Sequence, residues 1–118
     1  MGDIPWQRLL HVYPQTYSHG DAWLVGNRES LTAVRDAITR ALDGPEPASC
    51  VRAFCEDGEG YALIVAVQQD SEVWKKMMLP YAEMRDRPGN GIGPHRTLPE
   101  GLYRTLIGEM TKREREGT

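Results

Sequence analysis

The side chains best suited to recognition or catalysis are concentrated near the N-terminus. Within residues 11–23 the chain carries two His, two Tyr, one Asp and one Trp. Such aromatic residues combine an apolar body with a polar tip and often dominate protein interfaces. We therefore predict a protein-binding surface in this segment, with Trp23 packed beneath it in a strand. The residues assigned to the surface are Tyr13, Tyr17, His19 and Asp21.

The same side chains suit two other kinds of chemistry. A small hydrolase could use His19, Asp21 and His95, and imidazole and carboxylate groups are also metal ligands. Their spacing matches no pair of metal ligands on one helix or hairpin, so we predict no metal site and no cofactor. The enzyme stays open as an alternative, because it requires these titratable groups to converge in a pocket.

A second candidate surface lies in the Gly- and Pro-rich loop at residues 85–96. The loop lacks the Gly-Lys-Ser/Thr of a phosphate-binding loop and does not follow a strand within a βαβ unit. A phosphate or dinucleotide site is therefore not predicted. The basic side chains that this loop offers to an anionic partner are Arg87, His95 and Arg96.

The two cysteines, Cys50 and Cys55, are predicted to be structural. Their odd spacing places them on opposite faces of one strand, where they cannot bridge each other. Neither lies at a predicted helix N-terminus, where a reactive thiolate would be stabilised. The acidic segment 56–60 is explained by turn formation alone.

The clearest element is an amphipathic helix that begins after Asn27, a favourable N-cap, and ends at Gly44 and Pro45. Four short apolar segments at 9–13, 22–25, 50–56 and 61–68 are predicted strands. Asp57-Gly58 between the last two predicts an antiparallel hairpin with Gly58 at positive φ. Residues 71–79 suit a short helix or a strand.

A last helix is predicted after Thr97 and Glu100, which have the spacing of a capping box. The element order is β-β-α-β-β-(short α)-loop-α. It predicts an α+β fold, in which two long amphipathic helices pack on one face of a mainly antiparallel sheet of about four strands. The residues expected in the core are Leu31, Val34, Ile38, Leu63, Val65, Leu102 and Leu106.

Length and composition indicate one globular domain over residues 1–118, with residues 1–8 and 112–118 expected to fray. The net charge of -3 argues against nucleic-acid binding. The longest apolar run, residues 62–67, is too short to span a membrane. With no secretory h-region and two unpaired cysteines, we expect a cytoplasmic protein.

Four segments of the chain carry a resemblance to known proteins: His11 to Tyr17, Trp23 to Leu31, Asp57 to Tyr61, and Pro80-Tyr81. Together they resemble small proteins of bacteriophages and prophages to which no activity is assigned, and the resemblance covers about residues 10–82. A helix introduced by Gly-Asn-x-x-x-Leu is also similar to small toxin-immunity proteins. The resemblance implies a bacterial cytoplasm and binding to a host protein, as an inhibitor or an immunity protein.

These patterns favour a non-catalytic protein that binds a host or bacterial protein. The hydrolase-like enzyme and a homo-oligomeric accessory protein are the alternatives. A homo-oligomer requires a symmetric apolar face or an uncovered sheet edge.

Overall fold

The computed structural model describes residues 6–17, 19–80 and 91–116, with the backbone alone from 113 to 116. The chain has an α+β fold, and its described part forms two antiparallel two-stranded sheets and three α-helices. The elements are a 3₁₀ helix Trp6–Arg8, β1 Leu10–Tyr13, β2 Trp23–Gly26, α1 Arg28–Asp43, β3 Ala48–Phe54, β4 Gly60–Ala66, α2 Ser71–Lys76, a 3₁₀ helix Pro94–Thr97 and α3 Leu102–Glu116.

The hairpin of β3 and β4 is the centre of the fold. The two strands pair antiparallel from Ala48 opposite Ala66 to Phe54 opposite Gly60, as predicted. The Gly58 N–H donates to the Cys55 carbonyl at 2.9 Å, and Gly58 has a φ of +93°. The predicted turn and the predicted positive φ are therefore both confirmed.

The two long helices cover opposite faces of this hairpin, so their predicted packing on one face is wrong. Ala48 and Cys50, two positions apart in β3, lie on one face of the hairpin and pack against the buried side chains of α3. Ala53, of opposite parity, packs with Val34 of α1 and with Leu10 of β1. Both faces of β3 carry apolar side chains, and each face packs against one helix.

The four strands form two separate sheets rather than the single sheet that was predicted. Among the described residues, one isolated parallel bridge, between Leu9 and Phe54, is the backbone pairing between the β1 side of the molecule and β3. The β1–β2 pair runs from Leu10 opposite Gly26 to Tyr13 opposite Trp23. It is thus a second hairpin placed against the first, not an extension of its ladder.

Helix α1 buries a different face from the predicted one. Leu31 and Ile38 are 38% and 42% exposed, so their assignment to the core is wrong. Small side chains on the buried face, such as Ala37 and Ala41, let α1 approach the sheet closely. The bulkier Leu31 and Ile38 lie to one side of that face. Val34, Leu102 and Leu106 are buried as predicted, whereas Leu63 and Val65 are half-buried. The residues that α1 buries are Ser30, Val34, Ala37 and Ala41.

Local capping explains where most helices begin. The Asn27 side chain accepts the Ser30 N–H at 2.8 Å, as predicted for the start of α1. The Asp70 side chain accepts the Glu72 N–H, and residues 71–76 are helical. The predicted capping box at Thr97 does not form. Thr97 lies in the preceding 3₁₀ helix, where its hydroxyl donates to the Pro94 carbonyl, and α3 begins at Leu102.

Candidate functional site

The β1–β2 hairpin is attached to the body of the protein at one end. Leu10 in β1 is 1% exposed, and its strand partner Gly26 lies against the start of α1. A Cβ at Gly26 would come within 2.3 Å of the Ser30 Oγ and 2.8 Å of the Leu10 Cδ1. A side chain here would displace the buried Ser30 hydroxyl and the buried Leu10 side chain, so the close approach of the strand to the helix favours glycine.

The other end of the hairpin is exposed on both of its faces. Tyr13 and Trp23, which are directly opposite each other, are 49% and 64% exposed. Val12 and Leu24 point to the other face and are 44% and 45% exposed. The expectation that Trp23 packs inside is wrong, because β2 begins at Trp23 outside the core and approaches the core only at Gly26.

The loop that connects β1 to β2 has internal order. The Gly20 N–H donates to the Tyr17 carbonyl at 3.0 Å, and the Gln15 amide donates to the Gly20 carbonyl at 2.9 Å. The Tyr17 ring lies so close to Gly20 that a Cβ there would be 3.3 Å from it. Tyr17 is nonetheless 64% exposed, so its ring is held on one side and open to solvent on the rest.

His19 has a φ of +64°, which is uncommon for a residue with a side chain. The exposed His19 side chain therefore projects from a left-handed backbone position in this loop. Asp21 is also exposed, two residues before β2. All four residues assigned to the N-terminal binding surface are exposed.

His11 positions the hairpin although it was not among the predicted site residues. Its Nε2 accepts the Glu56 backbone N–H at 2.9 Å, and its Nδ1 lies 2.7 Å from the Tyr13 hydroxyl. Since Nε2 is an acceptor, the ring proton of the neutral form is on Nδ1 and is donated to Tyr13. His11 thus joins the first hairpin to the turn of the second and orients the Tyr13 ring.

The predicted residues of the Gly- and Pro-rich loop are placed elsewhere. Arg87 lies outside the described residues, and His95 and Arg96 are exposed in the second 3₁₀ helix. The His95 ring is 6.4 Å from the Tyr103 ring. These two rings line an apolar cleft of about 570 Å³ whose other walls are Ile64, Ala66, Pro94 and Leu98.

The catalytic alternative requires His19, Asp21 and His95 to work together. Across residues 6–17, 19–80 and 91–116, no hydrogen bond links any two of them. A groove of about 450 Å³ is lined in part by the charged residues Glu29, Asp36 and Arg40. The Arg40 Nε donates to the Ser49 hydroxyl at 3.1 Å, so this guanidinium already has a partner within the fold. The described residues also contain no group of three or more His, Cys, Asp or Glu side chains suited to a metal.

Comparison of the chain with protein-family models, with curated proteins and with solved structures finds no match. None of the helices in the described part is both long enough and apolar enough to cross a membrane.

Proposed function

We propose that this protein is a non-catalytic binding protein whose first hairpin contacts a bacterial protein. The contact surface, called the hairpin surface below, consists of Tyr13, Tyr17, His19, Asp21 and Trp23. The observation that carries the proposal is that this hairpin leaves the core and exposes large apolar side chains on both of its faces. Antiparallel sheets usually bury one face, so we expect a binding partner to cover one face of this hairpin.

The size of the hairpin surface supports an interface. With about 200 Å² per aromatic residue, the exposed fractions of Tyr13, Tyr17 and Trp23 amount to roughly 350 Å². A stable interface takes about 800 Å² from each partner. Three side chains thus supply close to half of what one side of an interface needs.

Tyr13 and Tyr17 of the hairpin surface are held in place by hydrogen bonds within the protein, which also favours binding. Tyr13 is hydrogen-bonded to His11, and Tyr17 belongs to a turn closed by two hydrogen bonds. Aromatic side chains have few rotatable bonds, and fixing them before binding reduces the entropy cost of association. The surface therefore has the properties of a preorganised recognition site.

We infer that the partner is a bacterial protein and that binding inhibits or neutralises it. The support is the resemblance of residues 10–82 to phage and prophage proteins, together with the net charge of -3, which does not favour nucleic acid. Asp21 at the edge of the hairpin surface favours a partner with a basic residue opposite it.

Two tryptophans of similar exposure allow a controlled test. Trp23 in the hairpin is 64% exposed and Trp74 in α2 is 58% exposed. We expect Trp23→Ala to weaken binding to a partner captured from bacterial lysate by about 2 kcal/mol or more, as for an interface anchor. Trp74→Ala is expected to leave the affinity unchanged. The affinities are measured by calorimetry with the purified partner.

A stability measurement completes this test. Tyr17→Ala should reduce binding with little change in the urea midpoint, because most of the ring is exposed to water. If Tyr17→Ala melts the domain, or if Trp23→Ala and Trp74→Ala bind equally well, the hairpin surface is not the contact site. The exposed His95 and Arg96 would then be the surface to examine.

A further inference from the structure

A second apolar surface runs along helix α1, apart from the hairpin surface. Its side chains are Leu31, Ile38 and Leu42, which are 38%, 42% and 65% exposed. The spacings of seven and four residues place all three on one side of the helix, with Arg35 between them. This arrangement is that of a helix seam, next to the face that α1 buries on the β3–β4 hairpin.

The charges beside this seam distinguish one occupant from others. Exposed Arg28 lies at the start of α1, and exposed Asp43 lies at its end, on the same flank of the seam. Between them, Arg35 is paired with Asp36 of its own chain at 3.2 Å. If a second α1 packs antiparallel on the first, a two-fold axis brings Arg28 of each helix to Asp43 of the other. Parallel packing would instead place the two Arg28 side chains at one end of the interface and the two Asp43 side chains at the other, so that no opposite-charge pair forms.

We propose that two copies of the chain associate through antiparallel packing of their α1 seams. In this arrangement Leu31 of one copy meets Leu42 of the other, and Ile38 lies near the two-fold axis. Three aliphatic side chains from each copy form a small interface, so a dissociation constant in the micromolar range is expected.

Sedimentation equilibrium from low micromolar to several hundred micromolar chain concentration tests the dimer. Ile38→Asp should raise the dissociation constant at least about tenfold, because each dimer then buries two added carboxylates. Tyr103→Asp is the matched control, since Tyr103 is also 42% exposed but lies on α3, beyond the opposite face of the β3–β4 hairpin. Circular dichroism and urea melting of both variants establish that they are folded.

Charge reversal separates a second copy from any other occupant. Arg28→Asp and Asp43→Arg should each weaken the dimer, because each creates two like-charge contacts across the axis. The double variant should associate about as well as the natural chain, since it restores both opposite-charge pairs. A chain that is monomeric at every concentration would overturn the proposal. So would a dimer that Ile38→Asp leaves intact, or a double variant that is no better than its parents.

Discussion

Tyr61 and His11 hold the two hairpins of the protein together by side-chain hydrogen bonds. The Tyr61 hydroxyl donates to the Leu10 carbonyl at 2.6 Å, and His11 Nε2 accepts the Glu56 N–H at the turn between β3 and β4. Leu10 is fully buried, so its carbonyl has little access to water. These two bonds fix the base from which the hairpin surface projects.

The Tyr61 bond gives a prediction at the scale of one residue. Tyr61→Phe should lower the free energy of unfolding by about 1–2 kcal/mol, because a buried carbonyl loses its donor while the ring packing is kept. Chemical denaturation at neutral pH measures the loss. Tyr103→Phe, at an exposed ring of the same type, serves as the control and should be neutral. An equal effect of both substitutions would contradict the role of the Leu10 bond.

The same bond predicts how stability changes at high pH. Burial, and to a lesser extent the charge of Cys55, raises the pKa of Tyr61 above its ordinary value. A group with a raised pKa in the folded protein contributes fully below the unfolded pKa, which is about 10 for Tyr, and this contribution is lost as pH rises through the folded pKa. The stability difference between the natural chain and Tyr61→Phe should therefore be constant below about pH 10 and shrink above it.

At the scale of the elements, the sequence was most informative where a few neighbouring residues decide the structure. The Asn27 cap and the Asp57-Gly58 turn both formed as predicted, because each depends on backbone groups within a few residues. The start of α3 did not follow Thr97, because that segment adopts a 3₁₀ helix first. His11 carries no local sign of its role, since its partner Glu56 is 45 residues away.

The turn at Gly58 allows the β3–β4 hairpin to be tested without disturbing any side-chain packing. A Cβ at Gly58 would have no heavy atom within 4 Å, so a substitution there acts through the backbone alone. Gly58→Val should cost about 1–2 kcal/mol of stability, because a β-branched residue is strained at positive φ. Gly58→Asn should cost less, since Asn tolerates this region. Equal losses for the two variants in urea melts would argue against the turn geometry.

At the scale of the whole molecule, periodicity could not predict which surfaces meet. Strand β3 has small apolar residues on both faces, such as Cys50 towards α3 and Ala53 towards α1. The residue pattern of β3 does not indicate that each face packs against a different helix. The helical spacing of aliphatic residues in α1 likewise predicted a helix correctly, but it did not predict which side of the helix is buried. The exposed hairpin residues were found only by composition, because aromatic density indicates binding without giving a fold.

The division of α1 into a buried face and an exposed seam gives a prediction for the whole fold. Val34 is 5% exposed, and Val34→Ala should cost about 2 kcal/mol, because two buried methyl groups are lost and a cavity is left. Ile38→Ala should cost below about 1 kcal/mol, since its side chain is 42% exposed and Ala favours the helix. Urea melts at low chain concentration, where a weak dimer is dissociated, compare the two directly. If Ile38 packed in the monomer core, the order would reverse at every concentration. If it lies at the dimer seam, its cost should grow as the concentration is raised, whereas the cost at Val34 should stay the same.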